Sequence, residues 1–221
     1  MKYFSLVLGI FLLSCTSNSP TEIHVKSRNK VINVYDKVVE IPMEEVLISG
    51  FANICLQNEF LIIKDSRAPG KQIHLFDKNT FKHITSTTYI GQGPNEITNL
   101  LRIVPDGKQR RFFAVDGGKR KLFSFDLDSL LVDSNYVFKT KYNLLEDYAG
   151  DFIYINDTLS IAQFLDIDSK TNRFEVYTGQ WNMDSGKFTK GYDNPLAKKK
   201  RFTFCASEEL GLYVSCYSRY D

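Results

Sequence analysis

Few side chains in this 221-residue sequence stand where they could move protons, attack a carbonyl or hold a metal. The three histidines, His24, His74 and His83, make no pair at ligand spacing along a strand, and there is no Cys-x-x-Cys. The spacing points to no metal and no cofactor. Asp166-Ile-Asp168-Ser-Lys-Thr-Asn172 has some of the carboxylate rhythm of a calcium loop, but lacks the turn glycine and the bidentate glutamate. An activated serine is often carried on a Gly-x-Ser-x-Gly elbow, which is absent. Two carboxylates about 5–9 Å apart can cleave a glycoside, and Asp65, Asp116 and Glu96 are the ones to consider. Asp65 and Asp116 each close a strand, where an aspartate commonly caps the loop that follows. The sequence assigns no catalytic residue.

Cysteine chemistry is more specific. Lys2 precedes an apolar run of roughly ten residues, Phe4 to Leu13, which has the length and flank of a signal-peptide core. A membrane span needs about 20 such residues. Leu12-Leu13-Ser14-Cys15 resembles the lipobox of bacterial lipoproteins, with an aliphatic residue at −3 and a small one at −1. That resemblance implies removal of residues 1–14 and acylation of Cys15, whose two or more chains would hold the protein on a membrane. Residues 15–30 then form the lipidated N-terminus and a polar tether opening Thr16-Ser-Asn-Ser-Pro-Thr21. Of the remaining cysteines, Cys55 reads as a buried small apolar residue. Cys205 and Cys216 flank Glu208-Glu-Leu-Gly211 and could face each other across a hairpin as a disulfide. Asp128-Ser129-Leu130 and Asp157-Thr158-Leu159 resemble the Asp-Ser/Thr-aliphatic triplets of exported Bacteroidetes proteins, where Ser129 and Thr158 would carry O-linked glycans.

The elements that position these residues repeat. Charge is nearly balanced, 28 basic against 26 acidic residues, so nothing indicates a nucleic-acid partner, and Lys198-Lys-Lys-Arg201 reads as a solvated loop. The 17 Phe and 12 Tyr suit pleated strands. From residue 31 to 221 the pattern is short apolar or alternating runs broken by Gly, Asp, Asn and Pro, which predicts an all-β domain. Glu59-Phe-Leu-Ile-Ile-Lys-Asp65 followed by Gln72-Ile-His-Leu-Phe-Asp77 aligns with Arg111-Phe-Phe-Ala-Val-Asp116 followed by Lys121-Leu-Phe-Ser-Phe-Asp126, at offsets of 51 and 49. A looser copy runs through Leu159 and Arg173, and another begins at Leu212. Apolar runs precede the first, second and fourth copies at Phe51, Leu100 and Arg201, and others follow the first two at Phe81 and Tyr136. Four strands per period of roughly fifty residues is the signature of β-propeller blades. At that period the chain holds about three and a half four-stranded blades, an incomplete propeller, and is expected to be a truncated copy of a longer reading frame. The turns agree: Asp77-Lys-Asn-Thr80 and Asp126-Leu-Asp-Ser129 can bond their own backbone, and Gly186 takes the left-handed place of a hairpin.

Between the first two copies, Ile90-Gly91-Gln-Gly93-Pro94-Asn-Glu96 resembles the Gly-x-Gly-Pro-Gly-Glu segment of TolB-like six-bladed propeller lipoproteins of Bacteroidetes, with Asn95 where that family shows Gly. The resemblance implies six blades, and a linker from the outer strand of one blade to the inner strand of the next. Two roles are open to it. Gly91 and Gly93 can supply permissive dihedrals to a tight linker, or Glu96 and nearby N–H groups can line a ligand funnel. The expected function is a cell-envelope binding or scaffold lipoprotein for a protein, peptide or glycan. It would be anchored to the outer membrane by its acyl chains and face the periplasm, since no acidic residue follows Cys15 before Glu22. The alternative is a propeller enzyme of lactonase or glycan-lyase type with a site in the channel.

Overall fold

The computed structural model describes residues 33–43, 45–133, 135–144, 148–168, 173–192, 202–207 and 212–217. Cys15 with the leader and tether, and the basic run at 198–201, lie outside the described residues. The chain divides into two compact units, 1–40 and 41–221. In the first, Tyr35–Lys37 make one 3-10 turn, and the Asn33 side-chain oxygen accepts the Tyr35 amide.

The second unit carries the strands. β1 (Ala52–Gln57), β2 (Phe60–Asp65), β3 (Lys71–Asp77) and β4 (His83–Ile90) form an antiparallel meander, and the two-residue β5 (Glu96–Ile97) runs parallel along the far edge of β4. β6 (Leu100–Pro105), β7 (Arg111–Asp116), β8 (Lys121–Asp126) and β9 (Lys139–Asn143) repeat the meander. β10 (Tyr148–Asn156), β11 (Leu159–Asp168), β12 (Arg173–Trp181) and β13 (Phe188–Tyr192) repeat it again, and β14 (Phe202–Ser207) pairs with β15 (Leu212–Tyr217). Three blades and the inner hairpin of a fourth are therefore all-β propeller units, in the order the repeat predicts.

The packing explains why the central strands read as unbroken apolar runs. Successive side chains of a strand point to opposite faces, and here both faces are covered. Phe112 and Ala114 of β7 join Phe60, Ile62, Ile73 and Leu75 of the first sheet. Phe113 and Val115, the alternate residues, join Phe152, Phe164 and Trp181 of the third. Phe112 stacks on Phe125 at 4.7 Å, while Trp181 meets the edges of Phe152 and Phe164. The first sheet's other face has no neighbouring sheet among the described residues. Leu61, Ile63 and Phe76 are buried there by Met43, Val46, Ile48 and Ala52 of the incoming chain.

One element departs from expectation. Asp126-Leu-Asp-Ser129 opens a short helix, α1 (Leu127–Val132), rather than a plain turn. Asp126 is its N-cap, accepting the Ser129 amide at 2.8 Å. Leu127 and Leu130, three apart, face the core. The Asp77 turn is as read: Oδ1 accepts the Asn79 and Thr80 amides. Gly186 has φ +71°, and a Cβ there would lie 2.0 Å from the Tyr142 hydroxyl.

Candidate functional site

The first strand of each sheet is a free edge, so its outward N–H and C=O groups have no strand partner within the sheet. β1, β6, β10 and β14 converge on one groove of about 750 Å³. Its wall carries Ile54 and Leu56, 68% and 63% exposed, beside Leu101 and Tyr154. Two cations belong to it. Lys64 donates to the Leu101 carbonyl at 2.8 Å, and Arg102 pairs with Asp151. Burial, followed by the Arg102 charge, holds the Lys64 ammonium below its usual range. Burial also pushes the Cys55 thiol up to about 11. That thiol is half-buried on β1, so the expectation of full burial is only partly met. Among the described residues, the groove's lining holds no His, Asp or Glu.

The linker between the first two sheets is built as a closed turn. Glu96 Oε2 accepts the Gly93 amide at 2.7 Å, and the Glu96 amide donates to the Gly93 carbonyl. Lys119, from the loop between β7 and β8, donates to the carbonyls of Gly93 and Glu96 at 2.6 and 2.7 Å. A Cβ on Gly91 would fall 2.0 Å from Glu96 Oε2. A side chain there would push the Glu96 carboxylate off the Gly93 amide. The expectation of permissive dihedrals is corrected, because among the described glycines only Gly186 has a positive φ. Asn95 likewise avoids the left-handed region, so its place in the motif carries no backbone strain. Pro94 is exposed at the tip. The Glu96 carboxylate thus lies folded into its own turn.

Asp65 and Asp116 hold corresponding positions. Asp65 accepts the amide and hydroxyl of Ser49, both at 2.6 Å, and the Arg67 amide. Asp116 accepts the amides of Thr98, Asn99, Gly118 and Lys119. Burial opposes ionisation of Asp65, but the Ser49 and Arg67 hydrogen bonds outweigh it and keep that carboxyl below the usual range. Both aspartates tie the entry of a sheet to the end of its second strand.

The remaining expected sites are scattered. Ser129 is exposed on the first turn of α1, and Thr158 is exposed in the β10–β11 turn, its hydroxyl donating to Asn156 Oδ1. Asp157 beside it is engaged by Arg111, Lys141 and Tyr154, in a network that also holds the buried Asp106. The hairpin expected of Cys205 and Cys216 exists, but the register opposes Cys205 to Val214 and Cys216 to Thr203. Cys205 is an exposed free thiol. The two cysteines sit diagonally across the hairpin, which corrects the disulfide expectation.

One arrangement has no counterpart in the sequence reading. His74 Nδ1 and His83 Nε2 each lie 2.8 Å from the Ser86 hydroxyl, and His83 Nδ1 lies 3.6 Å from Glu45. A bulge between Leu75 and Phe76 shifts the β3–β4 register, so that His83 and Ser86, three apart, reach one face with His74. Only the register could have revealed it. No cluster of three or more metal-ligating side chains occurs among the described residues.

A family model described as a 6-bladed beta-propeller matches residues 18–219. No curated protein matches the chain. Among solved structures, a crystallised Bacteroides fragilis protein assigned as exported shares 15% identity with a TM-score of 0.50. The likeness covers 67% of this chain but 38% of that one, and it supports the fold alone.

Proposed function

We propose, on the premise that this chain belongs to the DUF5128 family of 6-bladed β-propellers, that it is an exported binding module whose inner-strand groove takes an extended peptide or glycan. The groove carries the reading. Edge strands offer backbone donors and acceptors that an extended ligand can satisfy, and Ile54 and Leu56 are apolar surface that a monomer gains by covering. Apolar side chains and a free strand edge make up much of its described lining, which supports binding of an extended ligand. The lipobox at Cys15 supports a lipoprotein of TolB-like kind, anchored to the outer membrane and facing the periplasm. The exported assignment of the Bacteroides fragilis protein fits that address.

The test is a thermal-shift screen of the mature chain against defined oligosaccharide and peptide panels. Compounds that raise the melting temperature of the wild type, but not of Ile54→Lys or Leu101→Lys, support the groove. Stabilisation that survives both substitutions places the ligand elsewhere and overturns the reading.

A further inference from the structure

We infer that His74, Ser86 and His83 form an acid-sensitive latch for the strap of residues 41–52. Val46 and Ile48 of the strap pack on Leu61, Ile63 and Phe76, while Leu47 between them is 76% exposed. That alternation marks an extended segment laid on the sheet. Two polar contacts hold it: Ser49 on Asp65, and Glu45 near His83. His74 shares the covered face, opposite Ile63 in the register, just as Phe76 lies opposite Leu61. It is 4% exposed.

The Ser86 hydroxyl has one proton to give. With neutral rings it donates to one imidazole nitrogen and accepts an N–H from the other. When His74 is protonated both its nitrogens donate, and while Nδ1 meets the Ser86 hydroxyl, the buried Nε2 has no acceptor among the described residues. That places a positive charge in a buried, apolar setting, which is costly. The other charged groups nearby give limited relief. Asp65 attracts a proton on His74, but its oxygens are occupied by Ser49 and Arg67. Lys71, donating to the Ser86 carbonyl, adds positive charge, and so does Lys82 beside His83. Glu45 can pair with a charged His83, but it is 68% exposed and such a pair contributes little.

Burial first, then the His83 charge, sets the folded pKa of His74 below the ordinary 6.5. A histidine with a depressed folded pKa adds stability that is fully present above 6.5 and is lost as pH falls from there through the folded value. Lifting the strap hydrates His74, which makes it the shortest route to protonation of that ring, against only the weak Glu45–His83 contact. It also uncovers Leu61, Ile63 and Phe76 and opens the cavity of about 370 Å³ that Met43, Glu45, Phe76 and His83 border. Acid therefore exposes an apolar face that neutral pH keeps shut.

Hydrogen exchange on the full chain, corrected for intrinsic pH dependence, tests this between pH 7.5 and 5. The Ser49 and Phe51 amides, bonded to Asp65 and to the Ser49 hydroxyl, are expected to lose at least tenfold in protection below 6.5, while those of the β7–β8 hairpin hold. His74→Gln, whose amide can still bond Ser86 but cannot charge, is expected to keep the strap protected. The inference is overturned if strap and hairpin lose protection together, or if His74→Gln opens at the wild-type pH. Should that variant not fold, an NMR titration of the wild-type rings decides, and a His74 pKa at or above 6.5 overturns it.

Discussion

Asp116 shows how much a single carboxylate organises. Four backbone amides from two loops end on its oxygens, and the residue is fully buried. Hydrogen bonds to a charged group contribute about 1.5–3 kcal/mol each, and removing the acceptor leaves buried donors unpaired. Asp116→Ala is therefore expected to lose roughly 3 kcal/mol or more in urea denaturation, while Ser129→Ala on the surface changes little. Asp65 adds a pH signature. Its carboxyl is held below the usual range, so its contribution is present above the unfolded value and is lost as pH falls through the folded one. Asp65→Asn should remove that part of the acid dependence, and an unchanged acid limb would show that Asp65 contributes none of it. The strand-ending aspartates were legible because an acid closing an apolar run, before a short loop, has few other uses. The histidine pair was not legible, because a bulge decides which residues share a face, and bulges leave no mark in one sequence.

Among the elements, β7 and β8 carry the bounds that the sequence predicts, since Arg111 to Asp116 and Lys121 to Asp126 are apolar runs bracketed by turn residues. β10 and β13 were not seen. Gly150-Asp151 interrupts β10, whose register slips there and again near its end, and Phe188–Tyr192 is an outer strand with little apolar character. Tertiary pairing makes these strands where local pattern does not. The linker offers a direct test of steric fit. Gly91→Ala should destabilise by about 1 kcal/mol, by displacing the Glu96 carboxylate from the Gly93 amide. Glu96→Ala should cost about 1 kcal/mol for the lost Gly93 hydrogen bond. In the double variant the Gly91→Ala penalty should largely vanish, because the carboxylate it meets is gone. Strict additivity in the denaturation cycle would mean that the two groups do not touch.

At the scale of the molecule, the second sheet gives one face to the first sheet and the other to the third, and every sheet is contiguous in sequence. The lipobox makes a claim about the whole protein: Cys15→Ala should release it from the membrane fraction and abolish labelling with a fatty-acid analogue. A variant that still labels and still pellets would refute the claim. The described residues hold no metal-ligand cluster, so a chelator should leave the melting temperature unchanged, and a fall that calcium or zinc reverses would contradict this. The strap has a further consequence, for the order of synthesis. A chain is made N-terminus first, and early segments can fold before later ones exist. The first sheet pairs only neighbours in sequence, and Met43, Val46, Ile48 and Ala52 cover the face that no later sheet among those described covers. It can close half its core on emergence and offer Phe60, Ile62, Ile73 and Leu75 as a ready template on which the second sheet condenses.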